Sequence, residues 1–200
     1  MGGIENPILL DLPVPIRTKR LTLRPCRAGD GRAIFEAVSE SMQDFVPWLE
    51  LAQGTPTLEE SDEKARRFAA DFILRKHLSF AIFASDRFLG MIGVYGFNWK
   101  IPSAHLGYWL RTSETGKGIM TEAARALTLY LFRHVGLRRL AILYDENNTK
   151  SVAVAKRLGF ALESTSPMAD IHPLTHEPTT ELTFVRFHAD GLDDTDVSWG

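Results

Sequence analysis

Apolar and polar positions along this chain follow two periods, and the switches between them mark its elements. Leu21-Thr22-Leu23-Arg24-Pro25 alternates apolar and polar, the pattern of a half-buried strand. Leu78–Ala84 and Phe88–Tyr95 are apolar runs joined by Ser85-Asp86-Arg87, which predicts two strands and a tight turn. The second run carries Gly90, Gly93 and Gly96, and glycines in a strand point to bulges or to close approach of another chain segment. Residues 104–111 and 138–144 read as two further strands, and Glu181–Phe187 alternates as a last one.

Helical spacing fills the intervals. Asp30 stands before Ala33, Ile34, Ala37 and Val38, a capped helix. Phe45-Val46-Pro47-Trp48-Leu49 is an aromatic knot whose proline breaks that helix, and Trp48 is expected to anchor it in the core. A second helix should run from Leu58 to about Arg75, with Thr57 as N-cap and Glu59 and Glu60 in its first turn. Ile119, Met120, Ala123, Leu127, Tyr130 and Leu131 form the stripe of a long helix reaching about His134, with Gly136 as its C′ residue. Thr149–Leu158 is a fourth, closed by Gly159-Phe160. Residues 1–16 are a proline-rich arm, and 188–200 an acidic tail expected to fray, its Asp193, Asp194 and Asp196 in solvent.

Composition narrows the class. A chain of 200 residues with 44% hydrophobic content can bury the core of one domain. Its net charge of −2 argues against a general nucleic-acid or anionic-membrane binder. No stretch approaches the roughly 20 apolar residues of a membrane span, and the first residues lack both a signal-peptide pattern and a myristoylation site. The single cysteine, Cys26, cannot make an internal disulfide, which fits a reducing cytoplasm, and it reads as buried packing.

Candidate chemistry centres on Leu106–Leu127, LGYWLRTSETGKGIMTEAARAL, which runs strand, glycine turn, helix. A helix start exposes unpartnered N–H groups and a partial positive charge, and glycines before it let an anion approach the backbone. A Walker A loop is excluded because Gly116-Lys117-Gly118 has neither its spacing nor its hydroxyl. A dinucleotide fingerprint is excluded because position 121 is Thr. What remains resembles the acyl-CoA pyrophosphate loop of the GNAT N-acetyltransferases, and GYWL…GKGIMTEA is similar to the RimJ/RimL-like branch that acetylates ribosomal-protein N-termini. RLTLRPCRAGD resembles that branch's opening strand and helix cap, and ENNTKSVAVAKRLGF its second signature, carried here by Asn148, Ser151, Gly159 and Phe160. The likeness spans residues 17–187. It implies one α/β (α+β) domain, with a mixed, mostly antiparallel sheet flanked by helices. The strands at 104–111 and 138–144 would splay to admit the cofactor, beneath the connection of the first two helices.

The resemblance also implies acetyl-CoA as co-substrate and no metal. The backbone of Gly116, Lys117, Gly118, Ile119 and Met120 would take the pyrophosphate, with Thr121 adding a hydroxyl. Leu110 and Arg111 would pair their main chain with pantetheine, and Asn148 would bond one of its amides, although Asn148 also stands where an N-cap belongs. Many GNATs protonate the leaving thiolate with a tyrosine shortly before Gly-Phe. Here that residue is Ala155, and the branch's alternative is Ser151. Relatives often carry a glutamate where this chain has His105, which is either the base or a strand histidine bonded to a neighbour.

At pH 7 a lysine-like amine is neutral only about once in 2,500, a cost of about 4.6 kcal/mol, whereas an α-amine costs about 1 kcal/mol. A weak base therefore favours a protein or peptide N-terminus as acceptor. Another acyl-CoA, a small-molecule amine, or an acyl-CoA-binding sensor without turnover are the alternatives. Direct attack in a ternary complex is expected, with no cysteine in the motifs to carry the acetyl group. His172 and His176, four apart, lie beside Pro173 and do not read as a metal pair on one helix face. The resemblance further implies a homodimer, while the cysteine count, charge and hydropathy lead us to expect a cytoplasmic protein with no nucleic-acid or membrane partner.

Overall fold

The computed structural model describes residues 3–48 and 54–200, so Leu49 of the aromatic knot lies outside the described residues. Its sheet has nine strands, β1 (Ile16–Arg17), β2 (Thr22–Pro25), β3 (Leu78–Ala84), β4 (Arg87–Asn98), β5 (Ser103–Leu110), β6 (Arg139–Asp145), β7 (Ala161–Ile171), β8 (Pro178–Arg186) and β9 (Ser198–Trp199). They lie in the order β7-β8-β6-β5-β4-β3-β2-β1-β9. Every neighbouring pair is antiparallel except β5 and β6. Two parallel strands need a crossover, and here it is a helix, α3 (Ile119–Tyr130). The other helices are α1 (Gly31–Phe45), α2 (Leu58–Ile73) and α4 (Thr149–Arg157).

Period decides which face each helix covers. Ile92, Val94, Leu106, Leu110, Leu127, Tyr130 and Val152 share the main core, which packs α3 and α4 onto one side of the sheet. Ile34, Ala37, Val38 and Ala65 bury instead against Ala81 and Met91, with Phe68 and Trp109 at the margin, so α1 and α2 take the other side. Thr57 caps α2 as expected, in a capping box with Glu60. The long helix ends less simply, because Leu131–Val135 widens into a π turn before Gly136 closes it at φ 81°.

Three strands had no signal in the pattern. β7 is an exposed edge with a register shift between Ser166 and Asp170 around Pro167, and an exposed edge needs no apolar alternation. β1 and β9 are two residues each and pair with one another, Ile16 opposite Trp199. The expectation of a frayed, solvated terminus is therefore corrected. Asp196 pairs with Arg125 at 2.6 Å, Asp194 pairs with Arg133, and the Trp199 ring stands edge-on to Tyr130 at 5.5 Å. Those partners lie more than 60 residues away in sequence, where local periodicity cannot see them.

A buried ion pair fixes the entry to α1. Asp30 takes both terminal nitrogens of Arg24 at 2.6 and 2.8 Å and the Arg27 N–H at 2.7 Å. Burial would raise its pKa, but the Arg24 guanidinium and the Arg27 amide outweigh it and hold the carboxyl below the usual carboxylate value. Asp30→Asn should cost about 2 kcal/mol in a urea titration at pH 7, since a hydrogen-bonded cation loses its counter-charge. Because the folded pKa is the lower one, that contribution is complete above about pH 4 and is lost as pH falls through the folded value. The variant's deficit should thus shrink in acid, and a deficit independent of pH would contradict it.

Candidate active site

β5 and β6 pair only at Ser103–His105 against Arg139–Ala141, although both strands run on for several residues. Beyond His105 they part. The Arg111 N–H donates to the Leu89 carbonyl at 2.8 Å, which makes Gly90 and Leu110 a non-hydrogen-bonded pair. In an antiparallel ladder the main-chain groups of such a residue face away from its partner, so Leu110, and by the same alternation Tyr108, turn N–H and C=O into the gap. The gap opens into a cleft of ≈970 Å³ that runs to the start of α3.

The glycine turn forms the far wall. Gly116 and Gly118 adopt φ 76° and 75°, left-handed values that glycine reaches without strain, and Gly118 is the N-cap residue of α3 with no side chain to cap it. Nothing lies within 4 Å of a Cβ built on Gly116, so backbone conformation and not crowding selects the residue there. Arg20, which itself lines the cleft, braces the turn by donating to the Lys117 carbonyl at 3.2 Å and to Glu122 at 2.6 Å. A turn with open space above it and uncapped helix amides below fits a pyrophosphate.

Of the eleven positions singled out in the sequence, Leu110, Gly116, Gly118, Ile119, Met120, Thr121, Asn148 and Ser151 line this cleft, and Arg111, Lys117 and His105 do not. Lys117 contributes its place in the turn, while its ammonium pairs with Glu114 at 3.0 Å. Arg111 departs from expectation. Its N–H is spent on Leu89, its carbonyl accepts from Glu114, and its guanidinium reaches Glu40 at 2.9 Å, so it ties the strand end to α1. Asn148 does cap α4, its Oδ1 accepting from the Ser151 N–H at 3.2 Å.

His105 lies on the opposite sheet face, edge-on to Tyr95 at 5.5 Å. Burial, and then the charge of Arg139, push its pKa below the ordinary imidazole value, with Glu181 pulling weakly the other way. The ring is therefore neutral at pH 7 and able to accept a proton.

Sequence reasoning missed a pair of tyrosines. Tyr144 of β6 donates its hydroxyl to that of Tyr108 on β5, and Tyr108 donates onward to the Ser151 carbonyl at 3.2 Å. The pair spans the strand gap, and burial drives both phenols above their ordinary value, so both stay protonated donors at neutral pH. The signal was legible only as two aromatic residues in separate strands. Ala155, where a helix tyrosine could have stood, is fully buried in the core.

Trp48 is not a core anchor. It is 36% exposed, lines the cleft, and meets His172 edge-on at 5.9 Å, joining the end of α1 to the β7–β8 hairpin. Two backbone amides of that hairpin, those of Leu174 and Thr175, donate to His172 Nδ1, so the ring shapes the turn. Cys26 is buried far from the gap, and burial, then Asp30, push its thiol up to about 12, which removes it as a nucleophile.

Comparison with known proteins supplies the relatives of this arrangement. Residues 20–161 match the family model described as acetyltransferase (GNAT) domain. The ribosomal-protein-serine acetyltransferase of Escherichia coli is 32% identical over 130 residues, covering 62% of this chain and 71% of that protein. The putative ribosomal N-acetyltransferase YdaF of Bacillus subtilis is 29% identical over 149 residues, 72% and 80% of the two chains. Among solved structures, RimL, a ribosomal L7/L12 alpha-N-protein acetyltransferase in complex with coenzyme A, superposes with a TM-score of 0.81 at 24% identity, over 89% of this chain and 98% of that one.

Proposed function

The chain belongs to the GNAT acetyltransferase family, and from that premise we propose that it acetylates the α-amine of a protein or peptide N-terminus by direct attack on acetyl-CoA. The observation that carries the reading is the parting of β5 from β6, which turns the main chain of Tyr108 and Leu110 toward a cleft ending at the uncapped start of α3. An amide-bearing pantetheine pairs there as an added strand, and the amides of residues 116–121 hold the pyrophosphate. The Asn148 amide nitrogen, left over once its oxygen has capped α4, donates to a pantetheine carbonyl.

The acceptor enters from the sheet face of α1 and α2, on which His105 lies, and His105 takes the proton of the incoming amine directly or through a water. Tyr108, which lines the cleft, turns its hydroxyl from the Ser151 carbonyl to the departing thiolate and donates a hydrogen bond to it while accepting one from Tyr144, and the Ser151 hydroxyl adds a second, so that the thiolate leaves without the acid that Ala155 cannot provide. Because a thiolate leaves readily, with a pKa of about 8.5, that help is modest. Tyr144→Phe should lower kcat about tenfold with little change in the KM for acetyl-CoA. An unchanged kcat would remove the tyrosines from the chemistry.

The choice of acceptor rests on the small cost of neutralising an α-amine and on the ribosomal-protein activities by which the relatives are named. Among the described residues, no helix is long and apolar enough to cross a membrane. We assign the protein to the cytoplasm, where acetyl-CoA and new N-termini meet, as a homodimer, to be checked by light scattering.

Thermal shift with acetyl-CoA, CoA and succinyl-CoA, followed by thiol release against N-terminal peptides and small amines, tests the proposal. Ligand at a hundred times its Kd should add about 2.7 kcal/mol of stability. Acetyl-CoA stabilisation with thiol release on peptides is the expected result. Stabilisation with no release from any amine would make the protein an acyl-CoA sensor, and preference for succinyl-CoA would change the transferred group.

A further inference from the structure

Across the sheet face that α2 covers, three neighbouring strands present almost no side chain. Gly107 of β5 stands opposite Gly93 of β4, and Gly93 opposite Ser79 of β3. The result is a trench of ≈250 Å³. The cross-strand pair Met91 and Trp109 walls one side and Tyr95 the other, and Phe68 of α2 also lines it. The glycines are required by space. A Cβ at Gly93 would sit 2.7 Å from the Leu78 carbonyl oxygen, and one at Gly107 would sit 3.1 Å from the Tyr95 ring. Trp109 is locked edge-on between Phe45 at 5.5 Å and Phe88 at 5.9 Å, so the wall is rigid.

Two features say what the trench would hold. It adjoins the acyl-CoA cleft, because Tyr108 and Trp109 line both cavities just beyond the point where β5 leaves β6. Its lining is apolar apart from Ser79, His77 and the hydroxyls of Tyr95 and Tyr108, and it contains no carboxylate and no Lys or Arg to match a charged group. His77 is itself engaged with Asp71 at 3.4 Å.

We infer that this trench is the subsite for the side chain next to the acceptor amine, and that it takes an aliphatic or thioether side chain such as Leu or Met in preference to serine or a charged residue. The inference rests on the α-amine reading above and adds the identity of the first residue. Charged side chains would be desolvated there without partners, and each methylene seated is worth about fourfold in kcat/KM (about 0.8 kcal/mol).

The experiment is a set of peptides identical except for a first residue of Ser, Ala, Val, Met, Leu, Asp or Lys, assayed for kcat/KM with the intact protein. Met or Leu should exceed Ser at least tenfold, with Asp and Lys lowest. Equal rates, or a preference for Ser, would overturn the inference and leave the α-amine reading in place. Acetylation of small amines but of no peptide would overturn both. Ser79→Leu, which fills the trench away from the acyl-CoA cleft, should bring the Met-to-Ser ratio below about 2 while acetyl-CoA binding by calorimetry is unchanged. A ratio unaffected by that substitution would also overturn it.

Discussion

Gly116→Glu should abolish measurable acetyl-CoA binding while leaving the protein folded. Two costs arise, and they fall on different equilibria. A non-glycine residue held at φ 76° loses about 1–2 kcal/mol of folding stability. A carboxylate placed in the turn opposes the pyrophosphate, and two like charges about 4 Å apart near a protein surface repel by up to about 4 kcal/mol. That repulsion alone weakens binding by more than a hundredfold. The fold should tolerate the change, because a Cβ at this position meets nothing within 4 Å. Gly116→Ala carries only the backbone cost and should lose stability while binding acetyl-CoA nearly as tightly as the natural turn. Calorimetry on both variants separates the effects. Tight binding by the glutamate variant would remove the turn from the phosphate site.

His105→Ala should lower kcat/KM about a hundredfold at pH 7, within the usual range for loss of a general base. The pH profile distinguishes a base from a packing residue. A base works when unprotonated, so activity should rise through the histidine pKa as pH increases. Burial and Arg139 hold that pKa below its ordinary value of about 6.5, which places the acidic limb of the wild-type profile below pH 6.5. In the variant the limb should vanish and the remaining rate should climb with pH as the free amine deprotonates. A variant that is slower yet keeps the wild-type limb would show that His105 only supports Tyr95 and the strand.

The parts of this molecule that could be read from its sequence are those specified locally. The Thr57 cap of α2, the stripe of α3 and the tight glycine turn at 116–118 each depend on residues a few positions apart, and each appears where expected. The eight cleft-lining positions follow because the loop, the strand end and the α4 cap are short motifs with fixed geometry. What escaped depends on distant partners. β9 exists because Ile16 has an open edge and because Arg125 and Arg133 hold the acidic residues before it. The Tyr108–Tyr144 contact requires the divergence of two strands. Arg111 looked like a ligand from its place in the strand, but the hydrogen bond of its N–H to Leu89 decides otherwise, and sequence does not record which edge an amide faces. Trp48 has the composition of a core residue, and only the approach of the β7–β8 hairpin shows that it borders a cleft.

One peptide that carries both a free α-amine and a lysine, incubated with the protein and acetyl-CoA, reports the acceptor once the acetyl group is located by fragment-ion mass spectrometry. Thiol release should be matched by acetylation at the α-amine, with the lysine unmodified. Acetylation at the lysine, or stable acetyl-CoA binding with no acetyl group on either amine, would contradict the proposed function.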